Sequence, residues 1–124
     1  MRDVRPAAVA GTFYPGNAAE LAVAVRECLA GTAAPVAPAA SPKALIVPHA
    51  GYVYSGPIAA GAYARLASLR STIRRVVILG PTHRVAVRGL ALPSARAFAT
   101  PLGDVEVDRE AVATLAGLRQ VVVS

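Results

Sequence analysis

Two segments of the chain repeat one pattern, in which a short apolar run is followed by a turn-forming residue and then by a histidine. The first, KALIVPHAGYVYSG, covers residues 43–56, and the second, RVVILGPTH, covers residues 75–83. Apolar runs of this length without alternation are typical of strands covered on both faces in a parallel sheet. The chain's two histidines, His49 and His83, each follow such a run. Because ligands of open α/β sheets bind beyond the carboxyl ends of the strands, the pattern predicts a shared site for both imidazoles.

The region between these runs predicts a βαβ unit. A first strand is expected at Lys43–Val47 and a second at residues 75–79, with a helix opened by Ser55 as N-cap and Pro57 as first helical residue. A right-handed crossover makes two such strands parallel, which places the chain in the α/β class. The helix is expected to bury one face, formed by Ile58, Ala62, Leu66 and Leu69.

The N-terminal third predicts an irregular segment, a helix and a loop. Proline and glycine punctuate residues 1–16, so a loop carrying Tyr14 is expected there. Asn17 followed by Glu20 has the pattern of a capping box, and the helix should end at Gly31 with Cys28 packed on its apolar face. Residues 31–42 are rich in proline and alanine and predict a surface loop within a single domain spanning residues 1–124.

The C-terminal third predicts short strands around one helix. A strand is expected at residues 86–92, a loop at 93–97, a turn at TPLGD (100–104) and an extended segment through Val105 and Val107. Asp108 should cap a helix to about Leu118, followed by a buried strand at 120–123. A core strand with nothing after it predicts a truncated sheet whose open edge favours aggregation or pairing with another chain.

Composition narrows the functional classes. The chain has a net charge of +6, but its thirteen basic residues are mostly scattered arginines with few aromatic residues among them, which disfavours nucleic-acid binding. An anionic small ligand or peptide remains an alternative. No apolar run approaches the roughly 20 residues needed to cross a bilayer, and a single cysteine excludes an internal disulfide, so a cytoplasmic protein without membrane segments is predicted.

The two histidines allow three chemical interpretations: metal ligands, a general base with its partner, or residues without a catalytic role. Two imidazoles are an incomplete metal site, because catalytic zinc or iron usually needs three protein ligands. The later acidic residues do not identify a third ligand by their spacing; they are Asp104, Glu106, Asp108 and Glu110. Ser55 lacks the G-x-S-x-G context of a nucleophilic serine, and the chain lacks the glycine spacing of a phosphate loop.

Two tyrosines follow the first histidine. We expect Tyr52 and Tyr54 to point to opposite sides of an extended turn, with one packing and the other facing the site. We expect Tyr54 to face the site.

Four sequence motifs together resemble the Memo family, whose prokaryotic members are also called AmmeMemoRadiSam system protein B. They are AGTFYPG at 10–16, PHAGYVYSGPIAA at 48–60, ILGPTH at 78–83 and TPLGDVEVD at 100–108, in the family's order and approximate spacing. The resemblance covers most of the chain but only the N-terminal half of the family's domain.

The resemblance implies a three-layer α/β/α fold with a mostly parallel central sheet, similar to LigB-type class III extradiol dioxygenases. Those enzymes hold non-haem iron with two histidines and a carboxylate. His49 and His83 match the family's two metal-ligand histidines, Tyr54 matches a pocket tyrosine, and Tyr14 lies in a loop that forms one pocket wall; Tyr52 is a further pocket candidate. The family's ligating cysteine belongs to its C-terminal half and is not Cys28.

Two functions are compatible with the resemblance. The first is a metal-binding, dioxygenase-like protein that uses iron(II) or copper on an unknown small molecule, with a third ligand outside this chain or not identifiable in it. The second is a non-catalytic module that binds an anionic peptide or small ligand in the same cleft. The resemblance also implies a functional link to a radical-SAM protein in prokaryotes and to phosphotyrosine-peptide binding in animals.

Overall fold

The fold is known from a computed structural model, which describes residues 3–33 and 40–124. The chain forms two compact units. One comprises Ala8–Arg74, and the other comprises the N-terminal residues through Ala7 together with Arg75–Ser124. Six residues of the predicted Pro/Ala-rich loop, 34–39, lie outside the described residues.

The unit Ala8–Arg74 contains two packed helices, α1 (Ala18–Ala30) and α2 (Tyr52–Tyr63), and a 3₁₀ helix at Ala64–Leu69. α1 begins where the sequence predicts. The Asn17 side chain accepts hydrogen bonds from the backbone N–H groups of Ala19 (2.9 Å) and Glu20 (3.2 Å), which satisfies donors that the first helical turn leaves open. Gly31 ends the helix, also as predicted.

α2 begins earlier than predicted, and Ser55 is not its cap. Gly51 is the N-cap residue, and its carbonyl accepts from the backbone N–H groups of Tyr54 (2.9 Å) and Ser55 (3.0 Å). Ser55 therefore lies within the helix, where it is 5% exposed, and Pro57 is also internal. Ile58, predicted to be buried, is 68% exposed, whereas Ala60 is buried at 5%. The Ser-Pro pair is a signal from neighbouring residues only. The helix begins three residues earlier, at Tyr52, whose N–H donates to the carbonyl of the distant residue Phe13 (2.8 Å).

The two predicted central strands are not strands in this structure. Residues 43–47 and 75–79 are irregular and have no ladder partner among the described residues. Their apolar side chains are largely exposed: Ile46 is fully exposed and Ile78 is 87% exposed. A run of β-branched residues becomes a strand only when neighbouring strands satisfy its backbone groups and cover its faces, so the predicted βαβ unit does not form.

The other unit carries the sheets. β1 (Val4–Arg5), β3 (Ala97–Thr100) and β4 (Gly103–Glu106) form a mixed sheet in the order β1-β3-β4, in which β1 and β3 are parallel and β3 and β4 form a hairpin. The predicted turn at TPLGD closes this hairpin, and the Thr100 hydroxyl donates to the Gly103 carbonyl (2.7 Å). β3 falls largely outside the predicted strands.

A second, two-stranded parallel sheet joins β2 (Leu90–Leu92) to β5 (Val121–Val123). Gly89 precedes β2 with a φ of 85°, and the N–H of Leu90 bonds the carbonyl of Gln120 (2.8 Å), so the backbones approach closely at the start of the pair. Both strands were predicted, although β2 is shorter than expected and β5 is more exposed than a core strand, with Val123 57% exposed.

In chain order α3 (Arg109–Leu115) follows β4, with Asp108 as its N-cap residue as the sequence predicts, and it ends before the predicted Leu118. The Asp108 side chain accepts from the backbone N–H of Ala111 (2.9 Å) and also pairs with the Arg75 side chain. The hydrogen bond to Ala111 holds the pKa of Asp108 below its usual value, and the positive charge of Arg75 lowers it further.

These elements make the protein a mixed α/β structure, in agreement with the predicted class. In residues 3–33 and 40–124, none of the helices combines the length and apolarity needed to cross a membrane.

Candidate functional site

A cavity of about 390 Å³ lies within the unit Ala8–Arg74. Its lining comes from the N-terminal loop, one face of each helix, and residues 47–50, which include His49. This volume is in the range of small-molecule sites in proteins. The cavity is therefore the strongest candidate for a ligand site in this unit.

The helical lining follows the helical repeat. α2 contributes residues 52, 55, 56, 59, 60 and 63, and α1 contributes residues 25, 28 and 29. Spacings of three and four place such residues on one face of a helix. The cavity wall on α2 is thus a stripe of small residues bounded at both ends by a tyrosine, Tyr52 and Tyr63.

A backbone hydrogen bond positions the aromatic residues. The N–H of Tyr52 donates to the carbonyl of Phe13 (2.8 Å), which ties the N-terminal loop to the start of α2. The N–H of Gly11 donates to the carbonyl of Tyr14 (2.8 Å), which closes the loop upon itself. The rings of Tyr14 and Tyr52 consequently lie 5.7 Å apart with a 46° angle between their planes, a favourable aromatic arrangement.

The electrostatics of the cavity follow from its composition. Burial raises the pKa of the Tyr52 phenol, and the neighbouring Tyr14 raises it further. Since the ordinary tyrosine pKa is 10.0, the Tyr52 phenol is neutral and able to donate a hydrogen bond at physiological pH. Among the described lining residues there is no lysine, arginine, aspartate or glutamate.

Three of the predicted site residues line the cavity: His49, Tyr14 and Tyr52. Tyr54 does not: both tyrosines lie in a helix, where a two-residue step turns by about 200° away from the cavity-lining Tyr52, and Tyr54 is 80% exposed. His83 lies in the other compact unit, on an exposed irregular segment. The prediction that His49 and His83 share a site stays a prediction.

The cavity lining is short of the ligands that a transition metal needs. The cavity lining offers one imidazole, His49, and one thiol, Cys28, as strong transition-metal donors, short of three protein ligands. Within the described ranges there is no group of three or more histidine, cysteine, aspartate or glutamate residues arranged to hold a metal ion. The cavity by itself therefore does not complete a metal site.

Three lining residues with a polar side-chain group are not among the predicted site residues: Cys28, Ser55 and Tyr63. Cys28 was assigned to core packing and Ser55 to capping. A helix beginning at Tyr52 identifies Ser55 and Tyr63, because they lie three and eleven residues after Tyr52 and share its face, whereas Cys28 lies on α1.

Comparison with known proteins identifies the family to which the chain is similar. A family model described as Memo-like protein matches residues 5–124. A MEMO1 family protein of Ignicoccus hospitalis is 41% identical over 126 residues, which covers 96% of this chain and 44% of the relative.

Two further relatives match over a similar part of the chain. A MEMO1 family protein of Methanocaldococcus jannaschii is 38% identical over 122 residues, covering 93% of this chain and 42% of the relative. Protein MEMO1 of Danio rerio is 38% identical over 111 residues, covering 90% and 36%. The chain thus spans less than half the length of these curated relatives. The family model covers nearly the whole chain, as the four motifs predicted, and the chain belongs to the Memo family.

Proposed function

We propose that this chain contributes to a metal-dependent small-molecule site, in which the cavity holds an organic ligand and His49 and His83 act as metal ligands. The observation that carries the proposal is that His49 lines the same cavity as Tyr14 and Tyr52. A solvent-exposed imidazole beside a mainly apolar cavity can present a metal-binding nitrogen to a ligand held there. The assignment of His83 rests on its sequence motif.

Iron(II) or copper is the metal we propose, since imidazole suits both and either would supply redox chemistry of the dioxygenase-like type. Further ligands are required, because His49 and His83 fill only two positions. We also propose the three-layer α/β/α arrangement with a mostly parallel central sheet, which the family resemblance supports.

Metal binding is tested by anaerobic equilibrium dialysis of the 124-residue chain against iron(II) and, separately, copper(I), followed by metal analysis, which detects a site with only two protein ligands. We expect about one metal ion per chain in the wild type and loss of it in the His49→Ala/His83→Ala double variant. Arg84→Ala, which changes the neighbour of His83 without removing an imidazole, is the matched control and should keep the metal. Circular dichroism shows whether each variant retains its helices.

Equal metal content in the double variant and the control would overturn the assignment of the two histidines, as would no retained metal in the wild type. A chain that does bind metal is next assayed for oxygen consumption with catechols. Consumption that requires both metal and His49 is the outcome the dioxygenase-like proposal expects.

The second candidate is a non-catalytic module for an anionic peptide or small ligand, favoured by the net charge of +6. Chelation separates the two functions. A binding module keeps its ligand when chelator removes all metal, whereas the metal-dependent site loses its activity.

A further inference from the structure

The cavity beside His49 differs in charge from the rest of the chain. The protein carries thirteen lysine and arginine residues, yet none of them is among the described lining residues, and no aspartate or glutamate is either. The lining is mainly aliphatic and aromatic, with Val25, Leu29 and Ala59 among its apolar members. The net positive charge of the molecule is therefore not presented to a molecule inside this cavity.

That composition sets which ligands can enter at low cost. A carboxylate, phosphate or sulfonate placed there would lose water without gaining a cationic partner, and burying an unpaired charge is strongly unfavourable. An uncharged ring gains from each apolar contact, at roughly 25 cal/mol per Å² of apolar surface removed from water. The tilted pair formed by Tyr14 and Tyr52 offers ring faces and edges for stacking.

The few polar groups in the lining are suited to orienting such a ligand. Tyr52 and Ser55 follow each other on the same face of α2, one turn apart, and each carries a hydroxyl that both donates and accepts hydrogen bonds. We propose that the cavity is selective for an uncharged, mainly apolar ring compound and that it discriminates against anions, which argues against the second candidate function for this cavity. This inference rests on the ligand cavity of the proposed function but not on metal binding.

The test uses two dyes with the same ring skeleton. N-Phenyl-1-naphthylamine is uncharged, whereas 1-anilinonaphthalene-8-sulfonate adds one sulfonate, and both fluoresce more strongly in apolar surroundings. Titrations of the 124-residue chain at about 0.15 M salt limit long-range attraction of the sulfonate by the positive net charge. We expect the neutral dye to bind with a dissociation constant at least about tenfold lower than that of the anionic dye.

Two alanines of α2 provide a matched pair of variants. Ala59 lines the cavity, whereas Ala62, three residues later and equally half-buried, does not. Ala59→Leu should fill part of the cavity and weaken binding of the neutral dye by about tenfold or more, and Ala62→Leu should leave it unchanged. The pair also separates cavity binding from dye adsorbed on exposed apolar side chains.

Two results would overturn the inference: equal or tighter binding of the anionic dye, or an identical response to the two leucine substitutions. Absence of saturable binding of either dye would do the same. All titrations are repeated with chelator, so failure of the metal proposal leaves the dye comparison interpretable. Metal retention by the wild type, in turn, does not depend on which dye binds.

Discussion

Gly56 and Gly61 are two glycines of one helix with different surroundings. A Cβ atom added at Gly56 would lie 3.0 Å from the Cys28 sulfur, whereas one added at Gly61 would meet nothing within 4 Å. Gly56 is therefore the position at which α1 approaches α2 closely. The close packing of the two helices at this point requires a residue without a side chain.

We expect Gly61→Ala to stabilise the protein by about 0.5–1 kcal/mol, because alanine loses less backbone entropy in a helix than glycine does. Gly56→Ala should gain less or destabilise the protein, since the Cys28 side chain must move. Urea unfolding monitored by circular dichroism measures both. Adding Cys28→Ala should restore the gain at Gly56, and equal effects of the two single glycine substitutions would contradict the close approach.

Which tyrosine faces the cavity could not be predicted without the local backbone. In an extended segment residues two apart share a face, so Tyr52 and Tyr54 would point to the same side, but they lie in a helix that begins at Tyr52. There each residue turns by about 100°, so a two-residue step turns by about 200° and places Tyr54 nearly opposite Tyr52. Tyr14 and His49 both line the cavity, and their role in a functional site stays a prediction.

At the scale of the element, the starts of α1 and α2 are fixed in different ways. Asn17 caps α1 through its side chain, whereas Gly51 begins α2 without a side-chain cap. Asn17→Ala should therefore cost about 1 kcal/mol of unfolding free energy. Ser55→Ala should leave the helix start in place, since Ser55 lies inside it.

The measurement is the helical signal and the urea midpoint of each variant. An Asn17→Ser variant, which keeps a capping oxygen, is the control and should stay close to the wild type. Loss of the first turn of α2 in Ser55→Ala would restore the capping role that the sequence predicted for Ser55.

The Asp108 cap of α3 makes the free energy of unfolding of this unit depend on pH in the acid range. The pKa of Asp108 is lowered in the folded state, so folding is favoured most when this carboxyl is ionised. The contribution is complete above the ordinary value of 3.8 and is lost as the pH falls through the lower folded-state pKa. Asp108→Asn keeps a capping oxygen but cannot titrate.

We therefore expect Asp108→Asn to show a smaller fall in urea midpoint than the wild type between neutral pH and acid pH. Glu110→Gln is the matched control, because it removes an exposed carboxylate from the same helix without removing the cap. If the urea midpoint of Asp108→Asn falls as much as that of the wild type, other carboxylates dominate the pH dependence of stability.

Helix caps can be predicted from neighbouring residues, whereas strands can be predicted only if their distant partners are known. Asn17 and Asp108 act on backbone groups two or three residues away, so the sequence alone located α1 and α3. The runs at 43–47 and 75–79 needed partners distant in sequence, and apolar composition cannot supply those. The parallel pairs that do form, β1 with β3 and β2 with β5, join segments far apart in the chain and were not predicted as pairs.

The molecule exposes a run of consecutive apolar side chains near residue 77. Val76, Val77, Ile78 and Leu79 are each at least 70% exposed, and they are consecutive. Extended apolar segments with unpaired backbone groups can pair with another chain, and contiguous apolar patches favour association. Such contacts would bury the same side chains that a sheet would cover.

We expect the chain to self-associate as its concentration rises, and Val76→Lys/Ile78→Lys to reduce this, because residues two apart in an extended segment share a face. Sedimentation velocity over a concentration series measures the self-association of the wild type and of the variant. The matched control, Leu102→Lys/Leu118→Lys, adds the same charge at exposed leucines elsewhere and should leave association largely intact. If both double variants dissociate equally, general charge repulsion explains the effect, and a monodisperse wild-type monomer would remove the role assigned to this segment.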